Sequence, residues 1–267
     1  MSEAIISRVR HGLTSYQLKI LAIIFMLIDH LNMYLGDDFG WPAWVGFLGR
    51  FVAPLFAFLI VEGYFHTRSK KNYLGRLLLG ALIVGVGNIV YNLLTKAYIN
   101  PVTHQPDYFL FIGPHNIFLT LAMELILIWS LDNVLRHHRI ILSLGTLAFS
   151  SILMLAFEGG IYLSPLVSLF FLGQKYQSQR VMVIGIIAWC LLLFGRACLT
   201  YQTGTTGEPS LYNYLTFNNE FMMIMVVPLI YLYNGQRGGN GSKFERNLFY
   251  YFYPLHLWII YLVAAFI

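Results

Sequence analysis

Long apolar runs alternate with short polar connections along almost the whole chain. Nine such runs fall at roughly residues 17–36, 45–66, 74–95, 115–134, 140–157, 160–174, 181–200, 216–234 and 247–267. About 20 apolar residues in an α-helix cross the roughly 30 Å of hydrocarbon in a bilayer. The pattern therefore predicts an all-α fold, a polytopic integral membrane helical bundle with about nine transmembrane helices. The sixth run is short and poorly separated from the fifth, which leaves open eight spans or a broken helix there.

Composition favours this interpretation over a soluble fold. Only 11% of the 267 residues are charged and 58% are hydrophobic, whereas soluble domains carry about 25% charged residues. No soluble domain or internal repeat stands out, so we predict a single transmembrane domain over residues 1–267. The N-terminal segment lacks a small-residue cleavage site and is interpreted as a retained first span.

Basic residues concentrate in alternate connections between the runs. Most of the 17 lysines and arginines lie in the N-terminal segment and after runs two, four, six and eight. The opposite connections contain Lys96 and the acids Asp37, Asp38, Asp107 and Glu208. The positive-inside rule then predicts a cytoplasmic N-terminus and a multi-pass protein of the plasma or inner membrane. The net charge of +5 is explained by topology, so no nucleic-acid partner is expected.

Ionisable side chains also occur inside the predicted spans, where each costs a few kcal/mol unless it faces protein or water. They are Asp29, His30, Arg50, Glu62, Glu124, Arg196, Glu220 and His256, with His115 and Glu158 near span ends. From the helical rise, His30 lies about 18 Å, Arg50 about 9 Å and His256 about 12 Å from the membrane surface at which its span enters. A shared polar cavity is the simplest arrangement that satisfies these three groups.

Lys19 and His30 share one face of the first span, because eleven residues correspond to about three helical turns. A cation at the cytoplasmic edge and an imidazole about 16 Å deeper suit a long anionic cofactor. A snorkelling lysine and a structurally paired histidine would give the same spacing. Imidazole titrates near neutrality, which makes His30 a candidate general base. Asp29 points about 100° away and is expected to pair with a cation such as Arg50.

Two further polar features are ambiguous. The basic connection at 66–76 offers Arg68, Lys70, Lys71 and Arg76 to phosphates, but it also fits simple cytoplasmic topology and contact with lipid headgroups. Asn116, Thr120 and Glu124 form a stripe down the fourth span, and such stripes often only join helices. The sequence has no P-loop, GxGxxG, HExxH, GxSxG or CxxC pattern, and no metal site is predicted.

Four stretches resemble the TraX family, whose founding member is associated with N-acetylation of conjugative pilin. They are LKILAIIFMLIDH at 18–30, GRFVAPLFAFLIVEGYFHTRSKKNYLGRLL at 49–78, NIFLTL at 116–121 and FYPLHL at 252–257. The chain is also similar to the wider transmembrane acyltransferases, including the acyltransferase-3 group that O-acetylates glycans. In that group a basic residue, ten intervening residues and a histidine form a signature, which Lys19 and His30 match.

The resemblance implies an acetyl-CoA-dependent O- or N-acyltransferase that receives its donor from the cytoplasm. Its acceptor would be a peptide such as pilin, or a glycan, at or beyond the membrane midplane. On this hypothesis His30 is the general base, and Arg50 orients Asp29 or stabilises the developing oxyanion. The donor-binding residues are Lys19, Arg68, Lys70, Lys71 and Arg76, and the pocket residues are Asn116, Glu62 and His256.

Two other functions stay open at this point. A proton-coupled transporter or flippase would use the same intramembrane charges, although the inverted repeats typical of transporters are not detected. The second is a non-catalytic membrane partner in pilus or peptide assembly. Such a protein would need no buried titratable cluster, so the ionisable residues within the predicted spans count against it.

Overall fold

The computed structural model describes residues 12–100, 103–107, 115–155, 159–204 and 207–265, and the regular structure in these residues is helical. The helices are α1 (Ser15–Leu35), α2 (Val45–Leu48), α3 (Val52–His66), α4 (Lys70–Thr95), α5 (Ile117–Leu135), α6 (Ile140–Leu155), α7 (Gly160–Lys175), α8 (Gln179–Gln202), α9 (Leu211–Phe217), α10 (Val226–Leu232) and α11 (Lys243–Ala264). A 3₁₀ helix, Glu220–Met225, leads directly into α10. Isolated bridges join Leu13 to Tyr233 and Ile99 to Pro106. The predicted all-α class is confirmed for the described residues.

The predicted apolar runs coincide with these helices. Five helical stretches are long and apolar enough to cross a membrane, namely α1, α2 with α3, α4, α5 and α8. The pair Leu211–Phe217 and Glu220–Leu232 adds a sixth if its two parts, bent by 63°, form one broken span. The chain is therefore a helical membrane protein with five to six candidate spans in the described residues. The count of nine and the cytoplasmic N-terminus stay predictions.

A broken span occurs in the eighth run and not between the fifth and sixth, where that alternative was left open. The fifth and sixth runs form separate helices, α6 and α7, of 16 residues each. The break instead falls in the eighth run, where the Asn218 side chain donates to Tyr214 O at 3.2 Å and that of Asn219 donates to Thr216 O at 2.9 Å. These amides occupy carbonyls at the end of α9, a local competition that favours helix termination.

Polar residues between the apolar runs start several helices. Their side-chain oxygens accept a hydrogen bond from the backbone N–H three residues further on, which satisfies a donor that the helix leaves free. Thr14 and Gln17 form a reciprocal capping box at α1. Other side chains that cap in this way are Ser69 at α4, Asn116 at α5, Ser178 at α8, Ser210 at α9 and Ser242 at α11.

The chain divides into two compact units. Unit one comprises Met1–Leu59 and Leu172–Phe252, and unit two comprises Ile60–Phe171 and Tyr253–Ile267. Fully buried apolar side chains include Leu18 and Leu55 in unit one and Phe118 in unit two. The prediction of a single domain over residues 1–267 stays a prediction.

Candidate functional site

The predicted pairing of Asp29 with Arg50 is present in unit one. Arg50 Nη2 donates to Asp29 Oδ1 at 3.4 Å, and Arg50 Nε donates to the carbonyl oxygen of Gly46 at 3.2 Å. The two side chains are 29% and 17% exposed. Arg50 lies between α2 and α3, so this pair joins that connection to α1. The pairing is confirmed, whereas its catalytic role stays a prediction.

Gly49 allows this pair to form. A Cβ atom at position 49 would overlap the carboxyl group of Asp29. The carboxylate therefore lies directly against the backbone that precedes Arg50, a close approach that only glycine permits.

Asn219 extends the polar cluster around this pair. Its Nδ2 donates to Gly46 O at 3.4 Å, the oxygen that also accepts from Arg50 Nε. Asn219 is only 4% exposed. The sequence did not indicate this residue, because Asn219 lies in an apolar run that predicts a continuous span. The adjacent asparagines at 218 and 219 were the signal available in the sequence.

His30 and Lys19 both lie on α1, as their spacing predicts. His30 is 4% exposed and follows Asp29 in the chain. Lys19 lies one turn inside the helix start and is partly buried. The predicted arrangement, a basic group near the helix start and a buried imidazole along the helix, is thus present in unit one. Their roles in donor binding and catalysis stay predictions.

Unit two contains a buried polar layer built from α4, the start of α5 and α11. Asn88 Nδ2 donates to His115 O at 3.2 Å, and Trp258 Nε1 donates to Asn88 Oδ1 at 3.4 Å. A Cβ atom at Gly87 would overlap the Trp258 indole, so a glycine is required on α4 for the indole to reach Asn88. These contacts hold polar groups inside a predominantly apolar unit.

Two of the predicted pocket residues belong to this layer. Asn116, 7% exposed, donates through Nδ2 to Ala81 O at 2.9 Å. His256, 5% exposed, lies with its ring centroid 5.7 Å from that of Tyr253, and Tyr253 Oη accepts a hydrogen bond from Ile117 N at 3.2 Å. His256 thus contacts Tyr253, which is hydrogen-bonded to the residue that follows Asn116, and a role of both residues in a pocket stays a prediction.

Glu62, the third predicted pocket residue, is placed differently. Its Oε2 lies 3.3 Å from Nε2 of His66, one helical turn further along α3. The His66 side chain is 75% exposed. This contact lies near the C-terminal end of α3, and a role for Glu62 in the pocket stays a prediction.

Glu124 is the most unusual polar residue in the described part of the chain. Its residue surface is 0% exposed, and neither carboxylate oxygen has a hydrogen-bond partner among the described residues. It belongs to the predicted stripe with Asn116 and Thr120, which are also buried. Burial of an unsatisfied polar group costs free energy. Helix packing alone therefore does not account for this part of the stripe.

The basic connection contains an ion network that the sequence did not indicate. Asp132, at the end of α5, accepts a hydrogen bond from Tyr64 Oη at 2.8 Å and another from Arg136 Nε at 3.0 Å. Lys70 Nζ donates to Tyr64 Oη and lies 3.7 Å from Asp132 Oδ2. The hydrogen bond to Asp132 raises the pKa of Arg136. Arg136 follows Asp132 by four residues, a helical spacing that was the signal available in the sequence.

The predicted donor-binding residues of the basic connection therefore divide into two groups. Lys70 is held inside unit two by Tyr64 and Asp132, whereas Arg68, Lys71 and Arg76 are exposed.

Three further ionisable residues come from the middle of the chain, namely Glu158, Arg196 and Glu220. Arg196 on α8 is exposed, and its expected contact with protein or water stays a prediction. Glu220 is partly buried at the start of the 3₁₀ helix. Glu158 lies outside the described residues.

Known proteins resemble this chain over almost its whole length. The family described as TraX protein matches residues 14–264. A protein named "Probable fimbrial assembly protein FimC, serogroup H1" from Dichelobacter nodosus is 30% identical over 251 residues, covering 91% of this chain and 93% of that protein. No solved structure matches the chain. The region that matches the family contains the clusters around Asp29, Glu124 and Asp132.

Proposed function

The chain belongs to the TraX family, and on that premise we propose that it is a membrane-embedded acyltransferase. It transfers an acetyl group from cytoplasmic acetyl-CoA to a peptide N-terminus or a glycan hydroxyl at or beyond the membrane midplane. The observation that carries the proposal is the Asp29–Arg50 pair, in which Asp29 directly precedes the buried His30 on α1. The relative from Dichelobacter nodosus is named as a fimbrial assembly protein, which favours a pilus-subunit peptide as the acceptor.

In the proposed reaction His30 acts as general base. It removes a proton from the acceptor amine or hydroxyl as that group attacks the thioester carbonyl of acetyl-CoA. The new bond to the acceptor forms, the carbon–sulfur bond breaks, and the CoA thiolate leaves. The proton on His30 then passes to the thiolate, which restores the neutral imidazole and releases CoA as a thiol.

Arg50 stabilises the oxyanion that develops on the thioester carbonyl. Two of its guanidinium nitrogens are engaged, Nε by Gly46 O and Nη2 by Asp29 Oδ1. Arginine has five N–H donors in a fixed plane, so donors at Nη1 are available to the oxyanion. Asp29 fixes the orientation of this plane, and preorganised donors of this kind contribute strongly to acyl transfer.

The phosphates of the donor are bound by cations. Lys19 lies toward the start of the helix that contains His30, and the exposed residues Arg68, Lys71 and Arg76 offer further phosphate contacts. In this proposal Lys70 has a structural role, because its contacts with Tyr64 and Asp132 order the start of α4. Asn116, Glu62 and His256 are proposed to line the acceptor pocket, and the protein acts in the inner membrane.

The assignment is tested with purified full-length protein and radiolabelled acetyl-CoA, by measuring CoA release and label transfer to an acceptor peptide. We expect His30→Ala to abolish transfer while the thermal unfolding midpoint stays near that of the wild type. His137→Ala is the matched control, because His137 is exposed outside the helices. A well-folded His30→Ala protein with wild-type transfer would overturn the proposed role of His30.

One observation favours a second function, a proton-coupled transporter. Glu124 is a buried carboxyl group with no partner among the described residues, and such intramembrane groups commonly take part in proton relays. In proteoliposomes with an internal pH-sensitive dye, this function predicts substrate-driven proton entry without acyl-CoA, and loss of that entry in Glu124→Gln. Acetyl transfer without any proton movement would exclude it.

A further inference from the structure

The segment at 232–239 lies along the N-terminal end of α1 in unit one. Leu13 N donates to Leu232 O at 2.7 Å, and Asn234 N donates back to Leu13 O at 3.0 Å. Further along, Ser15 N donates to Gln236 O at 2.8 Å and Tyr16 N donates to Arg237 O at 2.9 Å. The segment is thus fixed to the helix start over several residues.

Two glycines after Arg237 are required by this arrangement. Gly238 has φ +67° and Gly239 has φ +68°, in the left-handed region that favours glycine. A Cβ atom at position 238 would also overlap the side chain of Thr14, the capping residue of α1. The GG pair that follows Arg237 in the sequence therefore lets the segment pass tightly over the helix cap.

The backbone of Arg237 is fixed beside the first turn of α1. Its carbonyl oxygen accepts hydrogen bonds from Tyr16 N at 2.9 Å and from Ser15 Oγ at 3.1 Å. The first of these contacts satisfies a backbone N–H group that a helix start normally leaves free. The helix terminus itself is thus occupied, whereas the Arg237 side chain is exposed.

Lys19 lies on the same side of α1. It follows Ser15 by four residues, about one turn, and helical side chains tilt toward the N-terminus. The Lys19 side chain therefore extends toward the first turn of α1, the turn beside which the backbone of Arg237 is fixed. Glu245 approaches Gly239 in the same region but makes no ion pair with either cation.

We propose that Lys19 and Arg237 together form a phosphate-binding site, in which Arg237 is a further anchor for the acyl donor. This inference rests on the proposed acyltransferase function. Two cations that lack an acidic partner among the described residues are stabilised when an anion lies between them, and a phosphate accepts charge-assisted hydrogen bonds from both. The phosphate comes either from the donor or from the headgroup of an anionic lipid.

The test measures CoA binding and the thermal unfolding midpoint of the full-length protein in nanodiscs of phosphatidylcholine, with and without phosphatidylglycerol. We expect Arg237→Gln and Lys19→Gln each to weaken CoA binding about tenfold, the usual effect of a lost hydrogen bond to a charged group. Arg237 contacts α1 through its carbonyl oxygen, so Arg237→Gln keeps those hydrogen bonds. Arg246→Gln is the matched control, because Arg246 is also exposed and basic and lies in the first turn of α11.

The outcomes separate the two phosphate sources. Weaker CoA binding by Arg237→Gln in both nanodisc types assigns the site to the donor. If Arg237→Gln binds CoA like the wild type but phosphatidylglycerol no longer raises its thermal unfolding midpoint, the site is assigned to a lipid headgroup. No change in either measurement overturns the site.

Different results would refute the phosphate-binding site and the proposed acyltransferase function. Wild-type protein that binds CoA but never transfers acetyl groups refutes the acyltransferase and leaves the site in place. Wild-type protein that transfers acetyl groups, with an Arg237→Gln variant of equal KM for acetyl-CoA, refutes the site alone.

Discussion

Two buried acids on α5 are expected to respond to substitution in opposite ways. Asp132 is 2% exposed and contacts Tyr64, Lys70 and Arg136, whereas Glu124 is 0% exposed and has no hydrogen-bond partner among the described residues. Removal of one member of a buried ion pair costs about 3–5 kcal/mol. Lys70 and Arg136 are partly exposed, so we expect a loss of about 2–3 kcal/mol for Asp132→Ala.

For Glu124 the expected sign is reversed. Each buried polar atom without a partner costs about 1–3 kcal/mol, and methionine keeps the length and flexibility of the side chain without the carboxyl oxygens. Glu124→Met should therefore stabilise the protein by about 2 kcal/mol. For a chain of this size that corresponds to a rise of about 4–8 °C in Tm. Most substitutions destabilise proteins, so this sign is a demanding prediction.

Thermal unfolding in one detergent, followed by tryptophan fluorescence, measures both changes. The wild type, Glu124→Met and Asp132→Ala are compared at equal protein concentration and heating rate. A lower Tm for Glu124→Met would refute the reasoning, because it would mean that the carboxyl group has a stabilising partner. A wild-type Tm for Asp132→Ala would refute the account of the ion network.

Two glycine substitutions test the close contacts of the site. Gly49→Ala should displace Asp29 and lower acetyl transfer at least tenfold. Gly195→Ala is the control and should not lower transfer, because a Cβ atom at position 195 meets nothing within 4 Å. Wild-type transfer by Gly49→Ala would contradict the contact between Gly49 and Asp29. Gly87→Ala should force the Trp258 indole aside and lower Tm by a few degrees, since overpacking costs about 1–3 kcal/mol. An unchanged Tm together with unchanged tryptophan emission would refute the contact between Gly87 and Trp258.

Much of the local structure was predictable from the residues. The apolar runs located the helices because the cost of exposing backbone and side chains to hydrocarbon depends on local composition. The eleven-residue spacing placed Lys19 and His30 on one helix, and the charges within spans indicated that Asp29 needs a cation. In each case the deciding quantity is either local hydropathy or helical periodicity.

Other features depended on contacts between residues far apart in the chain. Asn219 meets Gly46, Tyr64 meets Asp132, and Arg237 lies beside Ser15. Nothing in the hydropathy of either partner predicts these contacts, because they follow from the way the helices pack and from where a helix is interrupted.

The sequence by itself determined that this is a helical membrane protein and which polar residues are costly within it. Only the tertiary structure decided how each of those residues is satisfied, so that Asp132 has several partners and Glu124, eight residues earlier on the same helix, has none among the described residues. The physical reason is that the cost of burying a charge is a property of the residue, whereas the compensation is a property of its neighbours.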